Sequence, residues 1–434
     1  MLSLRSAFAL NTTNNIVLTS LFLLLIVTSF DLFFEENVHF PEVYSILKAS
    51  DEVYVVLFFA FALLYKKGRI KRVKLLKLMI LFSIVGAVGN VFSKSSIDVC
   101  LMGLFTTIKP IMLYCALCQF DFDWPQFNSF LKKIGYLFPV VVVSYIIDLF
   151  VPSFRSNIGI VSQAVEVRMG LRSLGGLFNR FTIGILFALL YFIMYKYYLK
   201  KSKWKVFFAS FMIFSSLKVK DIAGFIFGNL FLFIHKFKKK YVVIFVGVAL
   251  VGFNVYATCM PEHYSKYFTF DEDSNVARVV LVQTAAKIVV DKFPFGVGHG
   301  MYASPISRQQ KSHVYYDYKI DHVYGLNLRQ DGGLFMCDSF WPMVLGETGA
   351  LGTLFYLIMM YYVFKEPVMG FFRNTSDKRY VFPAFLFIVF LFASMGKSVF
   401  NGPPHCFVVW GFAGIFYSLQ KKSDLQVVNE EKHS

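Results

Sequence analysis

The chain has 434 residues, of which 56% are hydrophobic and only 16% are charged, and Phe alone occurs 53 times. Such a composition excludes a soluble globular domain and predicts a polytopic membrane protein. The formal net charge of +17 does not indicate a nucleic-acid-binding protein, because the Lys and Arg residues are concentrated in short segments between apolar runs. Those segments are 66–77, 196–205, 236–240 and 365–379.

About twelve apolar runs are long enough to cross a hydrocarbon core of roughly 30 Å. The first run follows Met1–Asn15 without a small-residue cleavage site, so we interpret it as a membrane helix rather than a removed signal peptide. The runs lie near 16–34, 51–65, 75–93, 97–118, 134–151, 177–195, 204–218, 221–235, 241–258, 340–364, 380–397 and 404–420.

The charges of the connecting loops predict how these helices are oriented. With the N-terminus in the cytoplasm, nearly all Lys and Arg clusters fall on the cytoplasmic side, as the positive-inside rule requires. The cytoplasmic segments are then 66–74, 119–133, 196–203, 236–240, 365–379 and the tail from 421. The opposite side receives 35–50, 94–96, 152–176, 218–220, 259–339 and 398–403.

The predicted fold is therefore an all-α membrane protein with one large loop on the non-cytoplasmic side between its ninth and tenth helices. Nine helices occupy residues 1–258, the large loop covers 259–339, and three further helices occupy 340–420. Residues 421–434 are predicted to form a cytoplasmic tail.

The external segment 152–176 and the residues after it carry Arg155, Arg168, Arg172 and Arg180. These cations lie on the side that the positive-inside rule depletes. Binding of an anionic substrate explains them, and so does pairing with lipid headgroups.

Within the large loop, Ser274-Asn275 is a suitable cap for a helix over 276–291, which mixes apolar and charged residues and is predicted to lie on the membrane surface. Pro294 ends this helix, and Phe293–Gly300 is a glycine-rich turn in which backbone approaches another element closely. Residues 305–333 are rich in Tyr, His and Asp, a composition typical of sugar-binding surfaces and equally of interfacial aromatic belts.

Four local patterns stand in a fixed order along the second half of the chain. The first is Arg172-Ser-Leu-Gly-Gly-Leu-Phe-Asn-Arg180 at the beginning of a predicted helix. The second is Leu217-Lys-Val-Lys220-Asp before a helix rich in small residues.

The third pattern begins at Arg278 and ends at Phe293-Pro-Phe-Gly-Val-Gly298. The fourth runs from Asp338-Ser through Glu347-x-Gly-x-x-Gly352. In this order, and with one large late loop, the chain resembles the O-antigen polymerase and O-antigen ligase superfamily of bacterial envelope polysaccharide enzymes. The resemblance covers roughly residues 170–360.

Three departures from the family pattern matter. Arg180-Phe replaces the Pro-Asn that the family has after its Asn, and Lys220 stands where the family has Arg. Ligases of the family have His at the position of Asp338, so the resemblance favours a polymerase. It implies transfer of a glycan from undecaprenyl diphosphate to a sugar hydroxyl of another lipid-linked repeat, at the periplasmic face of the inner membrane.

The implied chemistry assigns roles to nine residues. Arg172 and Arg278 are expected to stabilise the leaving diphosphate, since a guanidinium group binds two phosphate oxygens at once in bidentate fashion and stays charged. Asp338 is a candidate general base for the accepting hydroxyl, or else an N-cap of the following helix. Further substrate contacts are expected from Arg168, Arg180, Lys220, His299, His322 and Glu347.

The resemblance implies no metal or other cofactor, because the lipid diphosphate already carries its leaving group. Asp271-Glu-Asp273 has the spacing of a metal-dependent glycosyltransferase, but an acidic turn before a helix explains it better. The implied partners are the undecaprenyl-diphosphate-linked oligosaccharide, the bilayer, a chain-length regulator and a flippase, with no nucleic acid. A ligase acting on lipid A core remains an alternative, and so does a transporter of lipid-linked oligosaccharides. A transporter is disfavoured because the chain shows no internal repeat.

Overall fold

A computed structural model describes residues 2–36, 50–65, 71–158, 167–168, 170–178, 181–199, 202–233, 276–327, 329, 332–333, 335–337, 339–374 and 377–433. Its longer helices are α1 (Leu2–Glu36), α2 (Ser50–Tyr65), α3 (Val73–Phe92), α4 (Ile97–Leu117), α5 (Trp124–Tyr136), α6 (Phe138–Phe150), α7 (Phe181–Ile193), α8 (Lys203–Ser215), α9 (Val219–Phe233), α10 (Ala277–Asp291), α11 (Trp341–Arg373), α12 (Lys378–Ala393) and α13 (His405–His433).

The connections contain little other regular structure in the described ranges. A wider helical turn, Met194–Tyr198, extends α7, and a 3₁₀ turn, Ser394–Gly396, follows α12. Short helices are formed by Phe154–Asn157, Pro305–Gln309 and Val314–Asp317. The strands β1 (Val167–Arg168) and β2 (Leu171–Arg172) pair antiparallel, with Val167 opposite Arg172.

The chain is a helical membrane protein, as its composition predicts. Within the part of the chain that the structure describes, six helical stretches are long and apolar enough to cross a membrane. They are Asn11–Phe30, Val73–Phe92, Ile97–Leu117, Trp124–Phe150, Trp341–Arg373 and Lys378–Gly396. The predicted run 241–258 lies outside the described residues, and the full number of twelve stays a prediction.

The outward faces of these helices are apolar. Large hydrophobic side chains are more than half exposed on several of these spans and on the shorter helix α2, including Leu57, Leu64, Ile84, Val91 and Val140. Water would hydrate such a surface at a high free-energy cost, whereas lipid chains cover it without one.

Contacts between helix ends define two ends of the bundle. At one end, which we call the tail end, the Lys71 ammonium lies 2.7 Å from the Asp121 carboxylate, and the Arg72 guanidinium lies 3.8 Å from the centre of the Tyr417 ring. The Tyr198 hydroxyl donates there to the carbonyl oxygen of Lys378. All of these residues come from segments predicted to be cytoplasmic or from their helix ends.

At the opposite end, which we call the loop end, the described part of the large loop packs on the helices. Helix α10, which belongs to the large loop, packs against α11. Elsewhere in the bundle α11 packs against α3, α9 against α12 and α4 against α13. The segments predicted to be external also meet at the loop end, for example where the Leu174 N–H donates to the Ser215 carbonyl oxygen at 2.9 Å.

Several helices extend beyond their predicted runs, since α1 begins at Leu2, α11 ends at Arg373 and α13 ends at His433. The start of the fifth run has a clear local cause. The fifth apolar run is predicted to begin near residue 134, yet helix begins at Trp124 and continues with a bend through Phe150. The reason is local: the Asp123 carboxylate accepts the Gln126 N–H at 2.9 Å, while the Gln126 side chain accepts the Asp123 N–H at 3.1 Å. This reciprocal cap starts the helix inside a polar segment that hydropathy treats as a loop.

Candidate functional site

The glycine-rich turn after α10 is wedged against a break in α11. The Val297 N–H donates to the Gly346 carbonyl oxygen at 2.9 Å, and the Gly298 N–H donates to the Glu347 carbonyl oxygen at 2.8 Å. These bonds use carbonyl groups that a continuous helix would pair internally. The third and fourth sequence patterns, which are far apart in the chain, are therefore in direct contact.

Gly349 makes this break in α11 possible. Its φ of 62° and ψ of −163° are non-helical, and residues other than glycine avoid this backbone conformation. A Cβ atom here would also overlap the Pro294 carbonyl oxygen. The glycine spacing of the fourth pattern thus serves the docking of the turn.

His299 is enclosed by the bundle. The backbone N–H of His299 donates to the Asn90 side-chain oxygen at 2.7 Å, and the Asn90 side-chain amide donates to the backbone carbonyl oxygen of His299 at 2.8 Å. The ring lies against Phe82 and Gly86, and none of its surface is exposed. Burial lowers the pKa of this imidazole to about 4, so the ring is neutral at physiological pH. This position favours a packing role over the sugar contact that the sequence predicts.

Glu347, which lies in the break of α11, is also buried. One carboxylate oxygen accepts the Tyr302 N–H at 3.3 Å, and the backbone of Gly300 and Met301 lies close by. A carboxylate inside an apolar helix is rarely without a function. Here it fixes the chain that follows the glycine-rich turn, and it is not exposed to a substrate.

Arg172 is paired with a residue that the sequence does not single out. Its guanidinium donates to the Asp148 carbonyl oxygen at 2.7 Å and forms an ion pair with the Asp148 carboxylate. The second oxygen of that carboxylate accepts the N–H groups of Gly175 and Gly176 at 2.8 and 2.9 Å. The available signal was an Asp within the apolar run 134–151. Arg172 therefore holds the segment before α7 on the end of α6.

The other predicted cations are distributed around the loop end. Arg168 pairs through its backbone with Leu171 in the small hairpin. Arg278 is half-buried at the start of α10, and His322 is exposed in the large loop. Arg180 and Asp338 lie outside the described residues.

The residues on either side of Asp338 are held by the connection between α12 and α13. The Ser339 hydroxyl donates to the Met395 carbonyl oxygen at 2.9 Å, and the Ser398 hydroxyl donates to the Cys337 carbonyl oxygen at 2.9 Å. The Trp341 indole N–H donates to the Ser394 hydroxyl at 2.9 Å. Residues 394–405, the 394–405 connection, thus support the start of α11.

Three basic groups converge on the same connection. The Lys220 ammonium donates to the Gly396 carbonyl oxygen, and the Lys397 ammonium lies 2.8 Å from His405 Nε2. His405 Nε2 also lies 3.1 Å from the Thr182 carbonyl oxygen at the start of α7. We call Lys220, Lys397 and His405 the basic cluster.

The geometry of His405 allows two states of the basic cluster. An unprotonated Nε2 accepts a hydrogen bond from Lys397, whereas a protonated Nε2 donates to the Thr182 carbonyl oxygen.

Sequence reasoning found Lys220 but missed Lys397 and His405. Lys397 sits at the end of a predicted helix and His405 at the start of the next, so neither belonged to a polar pattern. Only the folding of the short 394–405 connection back over Lys220 brings the three side chains together.

Among the described residues, no group of three or more His, Cys, Asp or Glu side chains is placed to hold a metal ion. Asp271 and Asp273 lie outside those residues. No family model matches the chain, and a search of characterised proteins finds no match to its sequence either.

Proposed function

We propose that the protein is a glycosyltransferase that joins undecaprenyl-diphosphate-linked oligosaccharide repeats into a surface polysaccharide. In this proposal about twelve helices span the bacterial inner membrane, and the loop end faces the periplasm. The reaction breaks the bond between the glycan and the diphosphate of one lipid and forms a glycosidic bond to a hydroxyl of another.

The observation that carries the proposal is the convergence of the basic cluster on the start of α11. Lys220 comes from the turn between α8 and α9, while Lys397 and His405 come from the 394–405 connection. The same connection binds the residues that flank Asp338. Cations are thus brought to the end of the apolar bundle at which the neighbours of Asp338 are held. We propose that a lipid diphosphate lies there with its tail among the helices.

The role of the cations is electrostatic. As the bond to the glycan breaks, negative charge grows on the diphosphate, and fixed ammonium groups stabilise that charge more than they stabilise the bound substrate. Such groups lower a barrier by several kcal/mol at a partly dry site, in order-of-magnitude terms. We assign this role to Lys220 and Lys397, with Arg278 as a further candidate.

Arg172 receives a different role from the one that the sequence predicts. Its guanidinium already pairs with the buried Asp148 carboxylate, so a phosphate would have to compete with that ion pair. We propose that Arg172 positions the segment before α7, and through it the start of α7, where Thr182 lies beside His405, and that it does not contact the diphosphate.

Asp338 is the proposed general base. A carboxylate at the start of α11 would accept the proton of the attacking sugar hydroxyl as the new bond forms. Deprotonation of the acceptor and stabilisation of the leaving group together complete the transfer without a metal ion.

The test is deletion of the gene in its host, followed by complementation with wild type, Lys220→Ala, Lys397→Ala and Asp338→Ala. The surface glycan is then resolved by size on a gel. A polymerase predicts a lipid core with a single repeat and no ladder in the deletion strain and in the Asp338→Ala strain, with a much shorter ladder for both lysine variants.

Lys287→Ala is the matched control, because Lys287 is exposed on α10 at the same end of the protein. Its ladder is expected to equal the wild-type ladder, and Lys397→Arg is expected to restore part of the activity by retaining the charge. Complete loss of core-linked glycan, with polymer left on the carrier lipid, would instead show a ligase. An unchanged ladder in the deletion strain would exclude both enzymes.

A further inference from the structure

Helix α10 has one face that is buried by protein. Leu281, Ala285 and Ile288 are completely shielded, and Thr284 beside them is nearly so. This face packs against α11. Its spacing of three and four residues is that of a single stripe along a helix.

A second face of α10 is apolar but exposed. Val282, Ala286 and Val290 recur at intervals of four residues and all three are exposed, Val290 to 76%. Phe293, directly after the helix, continues the stripe and is 71% exposed. We call these four residues the apolar stripe.

The third face of α10 is polar and lies beyond the apolar stripe. Gln283, Lys287 and Asp291 also recur at intervals of four, each one position after a residue of the stripe. A helix with a protein face, an apolar exposed face and a polar exposed face is arranged for a boundary between lipid and water. If water surrounded both exposed faces, apolar and polar residues would not need to be separated into two faces.

The apolar stripe continues onto the ends of the membrane helices. The Phe295 ring, two residues after Phe293, lies 6.1 Å from the Phe92 ring at the end of α3. Phe92 and Val91 are exposed there, and so is Ile97 at the start of α4. Both helices are candidate spans, so their exposed apolar ends mark the level at which a hydrocarbon core would finish.

We infer that the apolar stripe of α10 is immersed in the interfacial layer of the bilayer. The chemical partner is a lipid surface, with acyl chains against Val282, Val290 and Phe293. Lys287 and Lys292, exposed on the neighbouring surface, face the phosphates of the headgroups. The inference does not depend on the proposed reaction.

The test uses the full-length protein in vesicles of phosphatidylethanolamine and phosphatidylglycerol, with a nitroxide label on Val290→Cys or on Lys287→Cys. Collision of the label with oxygen, which concentrates in lipid, is compared with collision with a water-soluble nickel chelate. Labelled wild type measured in parallel provides the background from the native cysteines. We expect a several-fold higher ratio of oxygen to nickel accessibility for Val290→Cys than for Lys287→Cys.

Lys287 is the matched control because it lies one turn before Val290 on the polar face of the same helix. Val282→Cys is the second variant, and it is expected to behave as Val290→Cys does. Equal, water-like accessibility at positions 287 and 290 would overturn the inference. Shielding of position 290 from both reagents would overturn it too, since it would show that protein and not lipid covers the stripe.

Discussion

The Lys109 ammonium lies 2.6 Å from a carboxylate oxygen of Asp51, and both side chains are buried between α2 and α4. Glu52, at 3.7 Å from the same ammonium, is half-exposed. Two charges removed from water in this way stabilise a fold only while both are present, because each alone has no solvation. The pair therefore specifies which helix α2 packs against and at which height.

This pair gives a direct stability prediction. Asp51→Asn leaves the Lys109 charge buried without its main partner and is expected to cost about 3–5 kcal/mol of folding free energy. The thermal unfolding of purified protein in detergent measures the loss. The double variant Asp51→Leu with Lys109→Met is expected to recover most of it, and a double variant as unstable as the single one would contradict this account.

A second prediction concerns the role of Arg172. If its guanidinium serves mainly to hold Asp148, then Arg172→Ala and Asp148→Ala both lower the thermal stability, and the double variant loses less than the sum of the two single losses. The coupling between the two is expected to be about 1–3 kcal/mol. If the Arg172 guanidinium instead contacted the diphosphate, the Arg172→Ala protein would be inactive but would keep the melting temperature of wild type.

A third prediction tests the packing of His299 against α3. Gly86→Ala places a methyl group where the imidazole lies, and such overpacking is expected to cost about 1–3 kcal/mol. Combining it with His299→Ala is expected to cost less than the sum of the single changes, because the clash is gone. Gly411→Ala is the control, since its new methyl group would lie 3.7 Å from the nearest side chain and is expected to be tolerated.

The buried imidazole also predicts a pH dependence. Its pKa of about 4 in the folded protein lies below the unfolded value of about 6.5, so the unfolded state binds more protons between these values. Stability from this residue is complete above pH 6.5 and falls by up to about 1.4 kcal/mol per pH unit as the pH drops toward 4. Melting temperatures measured across this range are expected to fall faster for wild type than for His299→Gln. Removal of the exposed His322 by His322→Gln is the control, and parallel curves for wild type and His299→Gln would refute the assignment.

Much of the membrane architecture could be predicted because long apolar runs have few structural alternatives. Helices α3, α4 and α11 begin within about two residues of the first residues of their predicted runs. The start of α5 was missed because it depends on the side chains of Asp123 and Gln126, which a hydropathy window does not weigh. Helix ends that are set by a single cap are invisible to any average over a window.

The site was less predictable, for a physical reason. The glycine-rich turn and the Glu347 pattern were recognised separately, but their contact is made by backbone groups that carry no sequence signal. The partner of Arg172 could not be named because the distance between Asp148 and the following loop depends on how the loop folds. Lys397 and His405 depend in the same way on the course of one short connection.

The wedge formed by residues 294–300 has a consequence for how the protein is made. The Asn90 amide, which ends paired with the backbone of His299, belongs to a helix that enters the membrane long before His299 is synthesised. The break at Gly349 in α11, against which the wedge packs, is synthesised later still. The early helices must therefore persist in the bilayer with an incomplete interface, and a ribosome stalled before Gly349 would leave that interface open to quality-control proteases.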